Sequence, residues 1–146
     1  MISFKFLTFA VMVKLTIAGP APKLTELQVY SVESTKCGFE NTVGLQTTKC
    51  NHGGSVKLRV AVLEIGYGSN RFAWMNGKQV KSINDIPICS FYNNYARTCR
   101  PGQTVIGFLV NYNIDGSQSG MFKCQSTSII NASPNLNTLY TEIYIH

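Results

Sequence analysis

Apolar residues in this chain fall in short runs with period two, separated by clusters of Gly, Asn, Asp, Ser and Pro about every ten residues, and the 3.6-residue period of a helix is nearly missing. Such a chain folds as pleated layers that turn one face to a core. Residues 56–65, "VKLRVAVLEI", show the pattern most clearly: Val56, Leu58, Val60 and Val62 share one face, while Lys57 and Arg59 take the other. The run then becomes apolar on both sides at Ala61, Leu63 and Ile65, so its far end is expected to be covered on both faces. About seven strands are predicted: Leu24 to Val32, Val56 to Ile65, Arg71 to Met75, Lys78 to Ile83, Thr104 to Tyr112, Met121 to Ile130, and a last run in which Leu139, Thr141, Ile143 and Ile145 alternate with Tyr140, Glu142, Tyr144 and His146. Asn76-Gly77 supplies the two positive-φ positions of a type I′ hairpin turn. The fold class expected is an all-β, two-sheet antiparallel β-sandwich.

A chain of 146 residues buries one core and has no room for a second domain. Residues 1–18, "MISFKFLTFAVMVKLTIA", place Lys5 before an apolar stretch and end at Ala18, followed by Gly19 and Pro20, the layout of a secretory signal peptide. Lys14 interrupts the apolar stretch, which disfavours a membrane-spanning reading, and no other segment is long and apolar enough for a transmembrane helix. The expectation is a leader over 1–18 and a secreted, extracellular domain over 19–146. Loss of Lys5 and Lys14 with the leader lowers the formal charge from +6 to +4. The remaining bases are scattered, so nucleic acid is not an expected partner. All five cysteines (Cys37, Cys50, Cys89, Cys99, Cys124) follow the leader, as expected of thiols oxidised in pairs, but spacing leaves their connectivity open. Asn131-Ala132-Ser133 is an acceptor for N-glycosylation in the same compartment.

Catalytic chemistry is poorly provided for. The two histidines are His52, beside a turn in "CNHGG", and His146 at the C-terminal end; neither accompanies a nucleophile motif or a second ligand at metal spacing. "CSFYNNYARTC" is too widely spaced for a redox or zinc C-x-x-C pair. His52, Glu64 and Arg71 are residue types that small secreted ribonucleases use, although nothing in their spacing argues for that role. No metal, cofactor or catalytic residue is expected.

The order of elements resembles the ML (lipid-recognition) family, secreted immunoglobulin-like sandwiches that include the group-two mite allergens and small lysosomal sterol carriers. "LQVYSVESTKC" followed by "KCNHGGSVKLRVAVL", the hairpin in "MNGKQVKSINDIPIC", the loop "CSFYNNYARTCRPGQTVIGF", and "GMFKCQSTSIINASPNLNTLYTEIYIH" carry the likeness. It implies an immunoglobulin-like sandwich stapled by Cys37–Cys50 and Cys89–Cys99, with Cys124 left over, either buried in a strand or available for a dimer. Both loops are longer than usual in that family, its loop proline is displaced to Pro101, and its third bridge has no counterpart here.

The leading expectation is a non-enzymatic protein that holds a lipid or another apolar small molecule between its sheets. Its lining would be Val60, Val62, Phe72, Trp74, Val80, Phe108, Val110, Phe122 and Ile143, with Tyr92 and Tyr95 bordering an entrance. A second reading is a secreted effector, toxin or lectin-like protein whose loops bind a host or cell-surface partner, "SFYNNYART" being the contact. The third is the ribonuclease-like enzyme.

Overall fold

A computed structural model describes residues 22–128 and 137–146. The leader and the Asn131 acceptor lie outside the described residues. Ten strands and no helix are found among them: β1 Glu26–Ser34, β2 Gly38–Asn41, β3 Leu58–Ile65, β4 Gly68–Met75, β5 Lys78–Val80, β6 Ser82–Tyr92, β7 Tyr95–Thr98, β8 Gly107–Asn113, β9 Gly120–Ser128 and β10 Thr138–Ile145. They form a six-stranded sheet, β2-β1-β3-β8-β6-β7, and a four-stranded sheet, β10-β9-β4-β5, with every pairing antiparallel. With β1, β3, β4, β5, β6, β8, β9 and β10 taken as A, B, C, C′, D, E, F and G, the orders read A-B-E-D and G-F-C-C′, the arrangement of an immunoglobulin-like sandwich. Strands β2 and β7 extend the first sheet by one strand on each side.

Ten strands replace the seven expected, for local reasons. The single run expected over Lys78 to Ile83 is cut at Lys81, where the chain leaves β5 in one sheet and enters β6 in the other. The stretch "SFYNNYART" is a hairpin rather than a loop, because Asn93 and Asn94 both adopt positive φ (51° and 65°) and close a tight turn between β6 and β7. Asn76 and Gly77 do the same between β4 and β5, as their identity predicts (φ 53° and 77°). Val56 is 78% exposed and precedes β3, which begins at Leu58.

Leu58, Val60 and Val62 from β3 meet Ala73 and Met75 of β4, Phe122 and Cys124 of β9, and Ile143 and Ile145 of β10 in one cluster between the sheets. Burying an aliphatic or aromatic side chain of this kind stabilises by about 1.5–3 kcal/mol. A second cluster covers the outer face of the six-stranded sheet, where Ala61 and Leu63 pack with Tyr30 and Ile88 under Val43, Phe91 and Ala96. This is the two-sided burial expected from the apolar end of β3.

Cys37–Cys50 and Cys89–Cys99 are both formed, with Cα atoms 6.3 and 4.9 Å apart. The first closes the segment that carries β2 and the start of the loop before β3; the second closes the β6–β7 hairpin. Each spans a loop for which chain entropy provides about 3 kcal/mol. Cys124 is a free, buried thiol on the inner face of β9.

Candidate functional site

Residues expected to line a between-sheet cavity divide into two groups. Val60, Val62, Val110, Phe122 and Ile143 point inward and are buried in the core cluster, with Val80 and Phe108 packed against it half-buried. Their side chains contact one another, and the Tyr112 and Phe122 rings sit 5.7 Å apart in the middle of the cluster. Phe72 and Trp74 are corrected: they lie on the opposite face of β4. Pairing of Ala73 with Cys124 and of Met75 with Phe122 commits the small and flexible residues of "RFAWM" to the interior, which turns both aromatics outward. Tyr92 and Tyr95 border no entrance between the sheets; they form the exposed tip of the β6–β7 hairpin.

Cys124 faces the core, where its thiol lies 3.6 Å from the Tyr112 hydroxyl. Burial pushes the Cys124 thiol up to about 12, and burial likewise raises Tyr112 far above the usual phenol range. Of the two placements expected for Cys124, the fold shows the one buried in a strand.

One end of the interior is closed by charge. Glu64, 1% exposed on the inner face of β3, accepts the single Nε–H of Arg71 shared between its two oxygens, both at 2.9 Å, and an Nη2–H of Arg71 on Oε2 at 2.7 Å. Arg71 belongs to β4, so this pair ties one sheet to the other, and Asp85 of β6 approaches its Nη1 at 3.5 Å. The hydrogen bonds to Glu64 raise the Arg71 pKa further despite its partial burial, and its guanidinium lies over the Phe108 ring at 5.8 Å.

His52 is elsewhere. It packs beside Ser34, which pairs with Leu58 at the far end of β3, six residues or about 20 Å from Glu64. The ribonuclease-like grouping of His52 with Glu64 and Arg71 is thus not assembled. Instead His52 Nε2 donates to Glu40 Oε1 at 3.0 Å, which leaves Nδ1 to accept from the Ser34 hydroxyl at 2.7 Å. Sequence reasoning missed Ser34 and Glu40, because both lie more than ten residues from His52 and no local pattern joins them. Hydroxyl, imidazole and carboxylate stand in the order of an acyl-transfer relay with the two ring nitrogens exchanged. Ser34, however, is 7% exposed and its oxygen also accepts the Cys37 N–H at 3.1 Å. Burial pushes the Glu40 carboxyl up, but N–H groups of Lys49 and Cys50 and the His52 ring outweigh it and hold Glu40 below the usual carboxylate range. These contacts lock the loop before β3, whose His52 and Gly53 N–H groups both donate to the His146 carbonyl at 2.6 and 2.8 Å.

The described surface also offers room for a ligand. On the outer face of the four-stranded sheet, Phe72 pairs across with Gln125 and Gln125 with Tyr140; in the next row Trp74 pairs with Lys123 and Lys123 with Glu142. Phe72 and Trp74 are nearly parallel, with an interplanar angle of 26° and centroids 6.2 Å apart. Trp74, Lys123, Gln125, Tyr140, Thr141 and Glu142 line a groove of about 580 Å³. Two strand spacings place its aromatic walls, β4 and β10, about 10 Å apart. The floor between them is polar. The signal for Tyr140 and Glu142 was present in the alternation of the last strand, whereas Lys123 and Gln125 gain meaning only from their neighbours on β4 and β10. Among the described residues no group of three or more His, Cys, Asp and Glu is placed to hold a metal ion, and no helix is long and apolar enough to cross a membrane.

These features define an immunoglobulin-like β-sandwich, disulfide-stapled, with a buried apolar cluster between its sheets and an aromatic-walled groove on one outer face. A family model described as a domain of unknown function, DUF4879, matches residues 19–145, and the chain belongs to that family. Comparison with curated proteins and with solved structures gave no match.

Proposed function

We propose that this protein is a secreted, non-enzymatic recognition module that binds carbohydrate in the groove on the outer face of its four-stranded sheet. One observation carries the reading: a near-parallel Phe72–Trp74 pair and the 72%-exposed Tyr140 flank a strip of Lys123, Gln125 and Glu142. A pyranose has an apolar C–H face and an edge of hydroxyls, so it asks for an aromatic platform beside a few donors and acceptors. Large aromatics left on a solvent face rather than in the core are otherwise a liability. Packing of Val60, Val62, Val110, Phe122 and Ile143 against one another is why this reading is preferred to a lipid held between the sheets.

Export is supported by the leader pattern over residues 1–18, by two disulfides, which persist in oxidising compartments, and by a family match that begins at residue 19, directly after that leader. The test is a glycan array followed by calorimetry on the best hit, with wild type and Trp74→Ala compared. Expected is saturable binding that Trp74→Ala weakens at least tenfold while thermal stability stays within about 1 kcal/mol, because that ring is outside the core. A Trp74→Ala variant that binds as well as wild type, or a lipid found stoichiometrically bound by native mass spectrometry, would overturn the proposal.

A further inference from the structure

We infer that the cleft at the base of the β6–β7 hairpin is a second binding site, built for a sulfate or phosphate ester. The cleft has a volume of about 560 Å³ and is lined by Ser90, Arg97, Thr98, Arg100 and Gln103. Every one of these side chains brings a hydrogen-bond donor, and none is a carboxylate. No acidic residue occurs between Asp85 and Asp115 in the sequence, and Arg97 and Arg100 are its only charges there. Among the described residues neither arginine takes part in an ion pair, in contrast to Arg59 with Asp115 and Arg71 with Glu64. Two guanidiniums facing one concavity without a counter-ion repel each other unless an anion joins them, and the planar fork of arginine suits the oxygens of a tetrahedral oxyanion.

The site is also held in shape. Ser90 follows Cys89 directly, while Thr98 and Arg100 flank Cys99, so the Cys89–Cys99 bridge fixes the two halves of the lining against each other. Gln103 is fixed by the turn Arg100-Pro101-Gly102-Gln103, where its Oε1 accepts the Arg100 N–H at 2.8 Å and leaves its amide NH₂ to donate. Gly102 makes that turn with φ +84°. Strand pairing adds a platform: Ser90 opposes Arg97 and Tyr92 opposes Tyr95, so both tyrosines share a face with the arginine that enters the cleft. Tyr92 is 77% exposed and free to cover whatever carries the anion. The cleft is several times larger than a bare tetrahedral anion, which is why an ester with its carrier, such as a sulfated sugar or a phospholipid headgroup, fits it better than the free ion.

The experiment titrates the oxidised protein with inorganic sulfate and inorganic phosphate and follows backbone amide resonances by NMR. Saturable shifts confined to Ser90 and the segment from Arg97 to Gln103 are expected, and each arginine removed in R97Q and R100Q should weaken binding roughly tenfold. Both side chains are exposed, so the rest of the spectrum serves as the control for folding. Two further arms separate the sources of the anion: a sulfated oligosaccharide against its desulfated counterpart, and phosphatidylglycerol vesicles against phosphatidylcholine vesicles. Arginine-dependent binding in either arm supports the site and names its carrier. Absence of saturable shifts with both ions together with no binding in either arm, or binding that survives the R97Q/R100Q double substitution, overturns it.

Discussion

Replacing Glu64 by Gln tests how far the two sheets depend on one charged clamp. Glu64 is buried and meets two N–H groups of Arg71 at 2.7–2.9 Å, so the substitution keeps the shape of the side chain and removes the charge that Arg71 was brought in to meet. Breaking a buried pair costs about 3–5 kcal/mol, chiefly because the surviving charge is left without its partner. Arg71 retains part of its solvent contact and has Asp85 at 3.5 Å, which sets the expectation at the lower end, about 3 kcal/mol. For a domain of this size that is a fall in Tm of roughly 10 °C. Urea denaturation of the oxidised protein, with the m-value monitored, is the assay. The double variant E64L/R71M removes both charges and should lie within about 1 kcal/mol of wild type, since neither ion then remains to be desolvated. An E64Q variant within about 0.5 kcal/mol of wild type, or a double variant less stable than E64Q, would refute the reasoning.

Acidification should act through Glu40. Its folded pKa is depressed, so its contribution is complete above the unfolded value of about 4.3 and is lost as pH falls through the folded value. Glu40→Gln should therefore be about 1–2 kcal/mol less stable than wild type at neutral pH and lose less stability over the acidic window, as read by denaturation at stepped pH; parallel pH profiles for the two proteins would contradict this. With its thiol pushed up to about 12 by burial, Cys124 should resist iodoacetamide in the native protein at neutral pH and react in denaturant. Mass spectrometry of the alkylated chain checks this, and a reductant-sensitive dimer on a native column would disprove it.

Much of the fold was legible because strand pairing and burial write themselves into short-range patterns. The alternation in "VKLRVAVLEI" and "TLYTEIYIH" placed Val60, Val62, Ile143 and Ile145 inward, and Asn76-Gly77 marked its hairpin, since the left-handed backbone it needs is open to few residue types. The second hairpin was missed although Asn93-Asn94 carries the same chemistry, because the flanking "SFY" and "YART" are short and half-polar and the disulfide hides the strand pairing as a loop. In "RFAWM" the apolar residues occupy both parities, so alternation alone does not say which set turns inward, and Phe72 and Trp74 were expected there. The partner strand decided otherwise: its register sets Ala73 opposite Cys124 and Met75 opposite Phe122 on the buried face.

The amino-acid sequence by itself determined that the chain is all-β, that it forms two facing sheets, and where most strands lie, because those properties depend on residues two apart along one strand. Tertiary structure alone decided which face of β4 meets solvent, that Glu64 joins Arg71 while His52 joins Ser34 and Glu40, and that two arginines share a cleft. Each of these depends on the register between strands distant in the chain, and that register is set by the volumes and charges competing for one interior rather than by any local pattern.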